Sequence, residues 1–446
     1  MQSIKTYEEA LIFLHSLNNA SAMQTKRTPA MARKRLNKIS NFLDFLGNPQ
    51  DKLNIIHIAG TSGKGSLTEM LHNIFSSSEK KTGSYTSPHV SAFIERIKID
   101  GRYIGEKELI DLLNFFIKKL DQFVLKTKED ALNFYELSFC IAIYYFYIKK
   151  CKTVIIETGL GGRADTSNVI KKPVFTIITN IGRDHLDIFS SLKEIAREKA
   201  GIIKPGVPIL TGEKDARWIK IFKQEAKKSK LQIVDYKLLK NIETNLDGTT
   251  FQYKDEQYKL NMPGAHQARN AILAIECAKY FKIDKNQISK GLKTAFMPAR
   301  MEVVQKTPLI IIDGAHNEDK LNAMIEFLKT YSKKKGKKYL ILGMAKNKKI
   351  KKSFLEIIKY FDAIYFTRFS NPFRKAFGYN DWKSKLAKQN NFKLYYNHYA
   401  KDALVLVSKK LKKDDLLIIT GSLFLAGELR KEWYPEQKII KNRKSK

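Results

Sequence analysis

The stretch Ile55-Ile-His-Ile-Ala-Gly-Thr-Ser-Gly-Lys-Gly-Ser66 decides the fold of this chain. Its first five residues form a mainly apolar run, which is typical of a strand buried on both faces of a parallel sheet. A glycine-containing turn follows, and a helical pattern begins at Ser66. Backbone N–H groups of such a turn cradle anions, and Lys64 can reach the β- and γ-phosphates of a nucleotide. The glycine spacing departs from the strict GxxxxGK[ST] form. Even so, Lys64-Gly-Ser66 at a strand-to-helix junction favours a phosphate site over a purely structural turn.

Outward from this stretch, short apolar runs alternate with helical patterns. Such alternation predicts α/β layers built on parallel sheets. The predicted strands are Asn54–Ala59, Thr153–Glu157, Val174–Asn180, Pro208–Thr211, Leu309–Asp313, Tyr339–Met344, Ala363–Thr367 and Leu416–Thr420. The predicted helices include Ser66–Ser77, Glu106–Leu120, Phe134–Lys149, Asn270–Tyr280 and Leu321–Tyr331.

A chain of 446 residues is too long for one ordinary core, so two domains are expected. We place the boundary at residues 296/297. Residues 1–296 are expected to form an ATPase domain of P-loop type with a parallel sheet, decorated by a small antiparallel insertion at Leu238–Leu260 with a turn at Asp247-Gly248. Residues 297–437 are expected to form a smaller Rossmann-like α/β domain. The lysine-rich tail, residues 438–446, is predicted to be disordered.

Composition limits the functional classes. The formal charge is +36, but the lysines are spread along the whole chain. This favours a solvated basic surface over a dedicated nucleic-acid face, although the second alternative stays open. No apolar run is long enough to span a membrane, and the first residues read as an amphipathic helix with acidic residues. Three cysteines without a paired spacing, Cys140, Cys151 and Cys277, fit a reducing cytoplasm.

Polar groups follow three of the predicted strands. Glu157 ends a buried strand, where parallel sheets bind ligands, so a Mg²⁺ ligand and an ordinary strand-end acid are equally good interpretations. His185, with Asp184 and Asp187 beside it, follows another strand and suggests a metal site, although a lone histidine is more often structural. Lys199 by itself would pass as a surface lysine.

Taken in order, these segments form a specific set: HIAGTSGKGS, TSPH, IETGLGGRADTSN, DHLD and EKAGI. They continue through His266-Gln267 with Arg269-Asn270, then MPAR at 297–300, IDGAHN at 312–317 and TGS at 420–422. The whole chain thereby resembles the dihydrofolate synthase/folylpolyglutamate synthase branch of the Mur ligase superfamily. One departure is the segment Met344–Lys349, which lacks the acid normally found there.

The resemblance implies an ATP-dependent ligase that works as a cytoplasmic monomer with two Mg²⁺ sites. ATP would phosphorylate the carboxylate of a folate or dihydropteroate, and the amino group of L-glutamate would displace phosphate from the acyl phosphate. It also implies site residues. The ATP-binding set is Gly60, Thr61, Ser62, Gly63, Lys64, Gly65, Ser66, Asn270, Arg300 and Asp313. The metal ligands are Ser87, Glu157 and His185, with Lys199 if it is carbamylated, as this position often is in the family. The pterin side is Phe134, Tyr135, Glu136, Arg163, Ala164 and Asp165. The catalytic set is Lys64, His185, Lys199 and His316.

Two alternatives remain beside this interpretation. One is a Mur-type ligase that adds amino acids to a UDP-sugar peptide. The Gly-Leu-Gly-Gly-Arg-Ala-Asp run and the absence of a UDP-binding domain before the phosphate loop argue against it. The other is a basic P-loop protein that binds nucleic acid. Whether dihydrofolate synthase activity accompanies folylpolyglutamate synthase activity is left open by the residues.

Overall fold

The computed structural model describes residues 3–17, 28–78, 80–183, 188–331, 336–346, 348, 350, 352–371, 374–386 and 394–446. These residues form two α/β domains, each arranged around a mostly parallel sheet. The fold class predicted from the alternation of apolar runs and helical patterns is therefore confirmed.

An eight-stranded sheet forms the centre of the first domain. Its strands are β1 (Ile55–Ala59), β2 (Thr82–Tyr85), β3 (Ile97–Ile99), β4 (Arg102–Tyr103), β5 (Thr153–Glu157), β6 (Phe175–Ile178), β7 (Ile209–Thr211) and β8 (Leu231–Ile233). They lie in the order β4-β3-β2-β5-β1-β6-β7-β8. Because β1 pairs in parallel with β5 and β6, it is buried along its whole length. The turn that follows β1 therefore leaves the sheet at the centre of its carboxyl edge, where such sheets bind ligands.

Helices cover both faces of this sheet. They are α1 (Tyr7–Ser16), α2 (Pro29–Phe45), α3 (Lys64–Ser77), α4 (Glu106–Thr127), α5 (Phe134–Ile148), α6 (Leu192–Ala200), α7 (Ala216–Ala226), α8 (Ala265–Tyr280) and α9 (Lys285–Thr294), with 3₁₀ helices at Pro49–Lys52, Phe93–Arg96, Thr166–Val169 and Tyr236–Leu238. The apolar faces of α1, α2, α4 and α5 share one core, and those of α3, α8 and α9 share another. The helix α3 that follows the phosphate turn is therefore anchored by two neighbours.

A small antiparallel sheet decorates the first domain, as the sequence predicts. Its strands are β9 (Leu239–Asn245), β10 (Gly248–Tyr253) and β11 (Glu256–Leu260). The turn between β9 and β10 contains Asp247-Gly248. Phe251 and Tyr258 face the core that α3, α8 and α9 share, so this sheet packs against α8 and α9, the two helices that flank α3.

The second domain has a six-stranded sheet. Its strands are β12 (Glu302–Lys306), β13 (Leu309–Ile312), β14 (Lys338–Leu342), β15 (Ala363–Thr367), β16 (Leu394–Asn397) and β17 (Leu416–Thr420). Their order is β12-β13-β17-β14-β15-β16, with only β12 antiparallel among the described strands. The helices are α10 (Glu318–Tyr331), α11 (Lys352–Ile357), α12 (Tyr379–Leu386), α13 (Ala400–Ser408), α14 (Leu423–Arg430) and α15 (Glu436–Asn442), with a 3₁₀ helix at Ile358–Tyr360.

The end of the chain differs from the disorder predicted for residues 438–446. Helix α15 runs to Asn442 and buries Ile439. The backbone of Arg443 then accepts from the Tyr103 amide (2.9 Å), and the Arg443 Nε donates to the Tyr103 carbonyl (2.7 Å). Composition alone suggested a solvated tail, but the open edge of β4 offers backbone partners that a count of lysines does not reveal.

Among the described residues, every helix is too short or too polar to span a membrane.

Candidate active site

The phosphate turn lies between β1 and α3 and depends on two glycines. Gly60 has φ +153° and Gly63 has φ +85°. Residues with an L side chain rarely adopt these backbone angles. A Cβ at Gly60 would overlap Thr179, and a Cβ at Gly63 would overlap the Asn270 amide. The structure therefore places Asn270 of α8 directly against the turn, beside Gly63 of the predicted ATP-binding set.

The segment after β6 holds this turn in place. The Ser62 amide donates to Asn180 Oδ1 (2.9 Å), and Thr179 Oγ1 donates to the Ser62 carbonyl (2.7 Å). The Gly182 amide donates to Thr61 Oγ1 (2.9 Å). Sequence reasoning did not identify this support, because nothing in a single sequence pairs residues 179–182 with residues 61–62.

Two lysines converge on the same carbonyl at the start of the turn. Lys64 Nζ donates to the Gly60 carbonyl at 3.0 Å, and Lys199 Nζ donates to it at 2.8 Å. The Lys199 side chain is buried. This location differs from that of an ordinary surface lysine and puts the last turn of α6 beside the phosphate loop.

Glu157, the last residue of β5, is buried beside the same loop. Its Oε2 accepts a long hydrogen bond from the Ser87 amide (3.4 Å), and it lies next to Gly65, where a Cβ would be in ordinary contact with Oε2 (3.5 Å). Burial raises the pKa of the Glu157 carboxyl, and the nearby Lys64 charge opposes this shift. Such a buried carboxylate, with acceptor capacity left over, suits a hard divalent cation.

The other predicted metal ligands are only partly covered by the described residues. His185, with Asp184 and Asp187, lies outside the described residues, whereas the neighbouring Ile188 lines the cavity. Within the described ranges, three or more His, Cys, Asp or Glu side chains never gather in a way that could hold a metal ion. Of the predicted ligands, Ser87, Glu157 and Lys199 can therefore be placed, and His185 cannot.

A cavity of about 360 Å³ extends from the phosphate turn to the second domain. From the predicted set it is lined by Thr61, Gly63, Lys64, Gly65, Ser66, Ser87, Tyr135, Glu157, Asp165, Arg300 and His316. Sequence reasoning missed several further cations of the lining, which are Arg35, Lys320, Lys348 and Arg374. A chain with 81 lysines and arginines offers no local signal that separates these four from the others.

The pterin-side residues fall into two groups. Tyr135 and Asp165 face the cavity. Phe134 is buried, and Glu136 is buried in an ion pair with Lys38 (2.9 Å), so both support the wall from behind. The guanidinium of the exposed Arg163 instead pairs with Glu225 (2.5 Å) on α7.

The Ala164 carbonyl accepts a hydrogen bond from the Arg35 guanidinium. Because Arg35 belongs to α2, this bond ties that helix to the loop that precedes Asp165. From this loop Gly159, Leu160 and Asp165 line the cavity, and the Ala164 carbonyl anchors the loop to α2.

In the second domain, Asp313 accepts hydrogen bonds from backbone amides and does not line the cavity. Its two oxygens accept from the amides of Met301 and Ala315, each at 2.7 Å. Burial raises the pKa of the Asp313 carboxyl, and the Arg300 charge opposes this. These bonds hold together the two segments that carry Arg300 and His316, both of which line the cavity. The His316 Nδ1 lies 2.8 Å from the Gly314 carbonyl.

Comparisons with known proteins agree with this architecture. Residues 58–278 match the Mur ligase middle domain, and residues 299–423 match the Mur ligase, glutamate ligase domain. A folylpolyglutamate synthase (FPGS) of Lacticaseibacillus casei is 32% identical over 72% of this chain and 76% of its own length. A dihydrofolate synthase/folylpolyglutamate synthase of Bacillus subtilis is 28% identical over 89% and 94%. A solved FPGS–AMPPCP complex is 26% identical, with a TM-score of 0.77 over 96% of this chain and 99% of the other.

Proposed function

This chain belongs to the folylpolyglutamate synthase/dihydrofolate synthase branch of the Mur ligases, and from that premise we propose how its cavity works. The protein is an ATP-dependent ligase that joins L-glutamate to the carboxylate of a folate. The γ-phosphoryl group of ATP passes to the carboxylate, giving ADP and an acyl phosphate. The glutamate amine then attacks the acyl carbon, so that an amide forms and phosphate leaves.

One observation carries this proposal. A single cavity brings together the phosphate turn with Lys64, the buried carboxylate of Glu157, and Arg300 with His316 from the other domain. ATP held by the first domain would thus face cations of the second domain across the cavity. Negative charge that develops on the transferred phosphoryl group is stabilised best by groups already in place, and Lys64 and Arg300 are such groups.

We assign the nucleotide side of the cavity to residues 60–66, with Asn270 against the turn and Arg300 opposite. Asp313 would act by holding Arg300 and His316 in position. The divalent cation, Mg²⁺ in our proposal, would be held by Glu157 and Ser87 in the first of two sites, with His185 as a ligand of the second. When bound, it neutralises phosphate oxygens. Lys64 would neutralise the remaining charge.

The acceptor side of the cavity would hold the folate or dihydropteroate. Tyr135 offers an aromatic face and Asp165 offers carboxylate oxygens for N–H donors. Arg35 would fix the loop that carries Asp165. The cations Lys320, Lys348 and Arg374 face the same space, and we assign them to the carboxylates of the incoming glutamate.

Steady-state release of ADP from the purified protein tests this function. We expect ADP release only when ATP, Mg²⁺, L-glutamate and a reduced folate are all present. Replacing the folate by dihydropteroate tests the second activity. Turnover with a UDP-sugar peptide, or binding of nucleic acid without glutamate-dependent turnover, would support the two alternatives instead.

A Lys64→Ala variant tests the site separately. Its ADP release should fall by roughly 10²-fold or more, because a charge contact to the transferred phosphoryl group is lost. Its circular dichroism spectrum should stay unchanged. A folded Lys64→Ala variant with full ADP release would refute the assignment of the phosphate turn.

We also propose that the protein acts as a monomer in the cytoplasm. Size-exclusion chromatography with light scattering at working enzyme concentrations checks the first part. A stable dimer would contradict it.

A further inference from the structure

A buried histidine stands behind the acceptor side of the cavity and has no role in the chemistry described above. His57 lies in the middle of β1 and is fully buried. Its Nε2 lies 2.8 Å from Ser167 Oγ, and Ser167 Oγ donates to Asp165 Oδ1 (2.5 Å). Asp165 and Ser167 both line the cavity. A continuous chain of hydrogen bonds thus runs from the central strand to the cavity wall.

The placement of hydrogens in this chain follows from its partners. Asp165 also accepts from the Ser167 amide at Oδ1 (3.0 Å) and from the Leu160 amide at Oδ2 (2.8 Å). Both oxygens therefore act as acceptors, which is the pattern of a carboxylate. The single hydroxyl proton of Ser167 is directed to Asp165. His57 must then donate its Nε2–H to Ser167 Oγ.

The remaining nitrogen of His57 fits this tautomer. Burial lowers the pKa of His57 to about 3, and Lys204 adds to the effect, so the ring is neutral. Its Nδ1 is buried and makes no hydrogen bond to the described part of the chain. An unpaired buried acceptor lowers stability, whereas an apolar side chain would avoid this cost. The presence of histidine at this position is therefore explained better by what Nε2–H does than by packing.

We propose that His57 is a positioning residue for folate recognition, which acts through Ser167 to hold the Asp165 carboxylate at the cavity wall. This inference rests on the function proposed above. Residues 158–165, between β5 and the 3₁₀ helix Thr166–Val169, form no helix or strand. The central strand β1, in contrast, is fixed by two parallel neighbours. His57 therefore transmits the rigidity of the sheet to a carboxylate on a loop.

Two substitutions at position 57 separate this role from packing. His57→Leu removes the donor, and His57→Gln places an amide N–H near the former Nε2. We expect His57→Leu to raise the KM for the folate about tenfold, while the KM for ATP changes less than twofold. A change of about tenfold is the size expected when a hydrogen bond is lost from a chain of bonds that ends on a charged group. His57→Gln should restore most of the folate KM.

Because His57 lies just before the phosphate turn, a folding defect must be distinguished. Ser167→Ala breaks the same chain without touching β1 and should reproduce the rise in folate KM. His72→Leu is the matched control, since His72 is also buried and its Nε2 accepts a hydrogen bond from the Gly101 amide (2.9 Å) away from the cavity. It should lower thermal stability and leave the ratio of the two KM values unchanged. Equal rises in both KM values for His57→Leu, or failure of Gln to rescue, would overturn the proposal.

Nitrogen-15 NMR of the histidine rings supplies a readout that needs no turnover. The spectrum of the wild-type protein should show His57 as the Nε2–H tautomer, and Ser167→Ala should shift its signals. An Nδ1–H tautomer would overturn the proposal, even in an enzyme with the expected activity. Conversely, absence of folate-dependent ADP release in the wild type would refute the proposed function while the tautomer could still be observed.

Discussion

At the scale of single residues, burial and a nearby charge have opposite effects on the pKa of Glu157. Burial raises the pKa of this carboxyl above its ordinary value of 4.5. The folded state therefore keeps the proton to a higher pH than the unfolded state, so ionisation costs stability as pH rises through this window. We expect Glu157→Gln without metal to melt at a higher temperature than the wild type at pH 7.5. The difference should shrink as pH falls toward 4.5, as scanning calorimetry can measure.

In the presence of Mg²⁺ the wild type should melt at a higher temperature than Glu157→Gln. A cation bound by Glu157 stabilises the folded wild type by mass action, and Glu157→Gln should lack the effect. Glu326→Gln serves as the control, because the Glu326 side chain is 70% exposed. Equal stabilisation of the wild type and Glu157→Gln by Mg²⁺ would contradict the assignment of Glu157 as a metal ligand.

Lys199 raises a second question at this scale. Its Nζ and that of Lys64 both donate to the Gly60 carbonyl, so two cations meet where a metal and ATP are proposed to bind. Loss of one proton from the Lys199 ammonium and addition of CO₂ to the resulting amine, with loss of a second proton to solvent, would form a carbamate N–C bond and replace one cation by an anion. We propose that Lys199 is carbamylated in the active enzyme.

Carbamylation of Lys199 can be tested by mutation and by NMR. Lys199→Ala should lose most activity, and a small carboxylic acid in the assay should partly restore it. Carbon-13 NMR with labelled bicarbonate should show a carbamate signal in the wild type that is missing in Lys199→Ala. A wild-type spectrum without this signal, recorded under conditions of full activity, would contradict carbamylation.

At the scale of elements, helix α9 packs unusually close to the phosphate-loop helix α3. A Cβ at Gly291 would overlap the backbone of Ile74, coming within 2.5 Å of its N atom. We expect Gly291→Ala to lower the free energy of unfolding by about 1–3 kcal/mol, because backbone atoms cannot yield as a side chain does. Since α3 begins at Lys64, the KM for ATP should rise as well.

Chemical denaturation and ATP titration of Gly291→Ala check this prediction. The neighbouring Lys290→Ala is the control, because Lys290 is exposed on the same helix. If Gly291→Ala and Lys290→Ala have the same midpoint of unfolding, α3 and α9 are less tightly coupled than the structure indicates.

Elements with strong apolar runs could be predicted from the sequence. Strands β1 and β5 begin and end within one residue of the prediction, because both are buried on two faces and contain few polar residues. Short strands such as β3 (Ile97–Ile99) were missed, since three residues do not establish a periodicity. Helix α15 was missed because the residue that holds the chain end, Tyr103 on β4, lies 340 positions before Arg443.

The candidate site, too, could be predicted from the sequence only in part. Lys64 and Glu157 could be found, because each follows or ends a buried strand and the chemistry of strand ends is local. Arg374 and Lys348 could not be found, because only the packing of the second domain against the first brings them to the cavity. Arg163 matches a motif, yet an ion pair with Glu225 directs it elsewhere. Motifs identify loops, and the tertiary contacts decide which of their side chains face the cavity.

At the scale of the whole molecule, Arg430 joins the domains. It is fully buried, pairs with Glu302 through Nε (2.8 Å) and Nη2 (3.0 Å), and reaches Ser91 of the first domain (3.4 Å). The Ser445 carbonyl accepts from its Nη2 as well (2.6 Å). Helix α14 also contacts the same loop, since a Cβ at Gly427 would overlap the Val90 carbonyl. The loop that carries Ser87 is therefore held from the second domain.

Removing residues 443–446 should loosen this arrangement. The shortened protein loses the bonds from Arg443 to Tyr103 and Glu108 and leaves Arg430 with an empty donor position. We expect a lower melting temperature and faster tryptic cleavage near residues 297–300, between the two sheets. Lys441→Ala, on the same helix with the tail intact, is the control. Equal cleavage rates would show that the tail does not couple the domains.

The last residues also bear on how such a chain can be recombined. The two sheets suggest modules that could be exchanged at a crossover near residue 297. The final residues of the second module, however, rest on Tyr103 and Glu108 of the first. In a chimera of two homologues, the last residues would come from one parent and the first-domain residues that they contact would come from the other. Successful shuffling should therefore need a second crossover after Asn442, which returns the last residues to the parent that supplies the first domain.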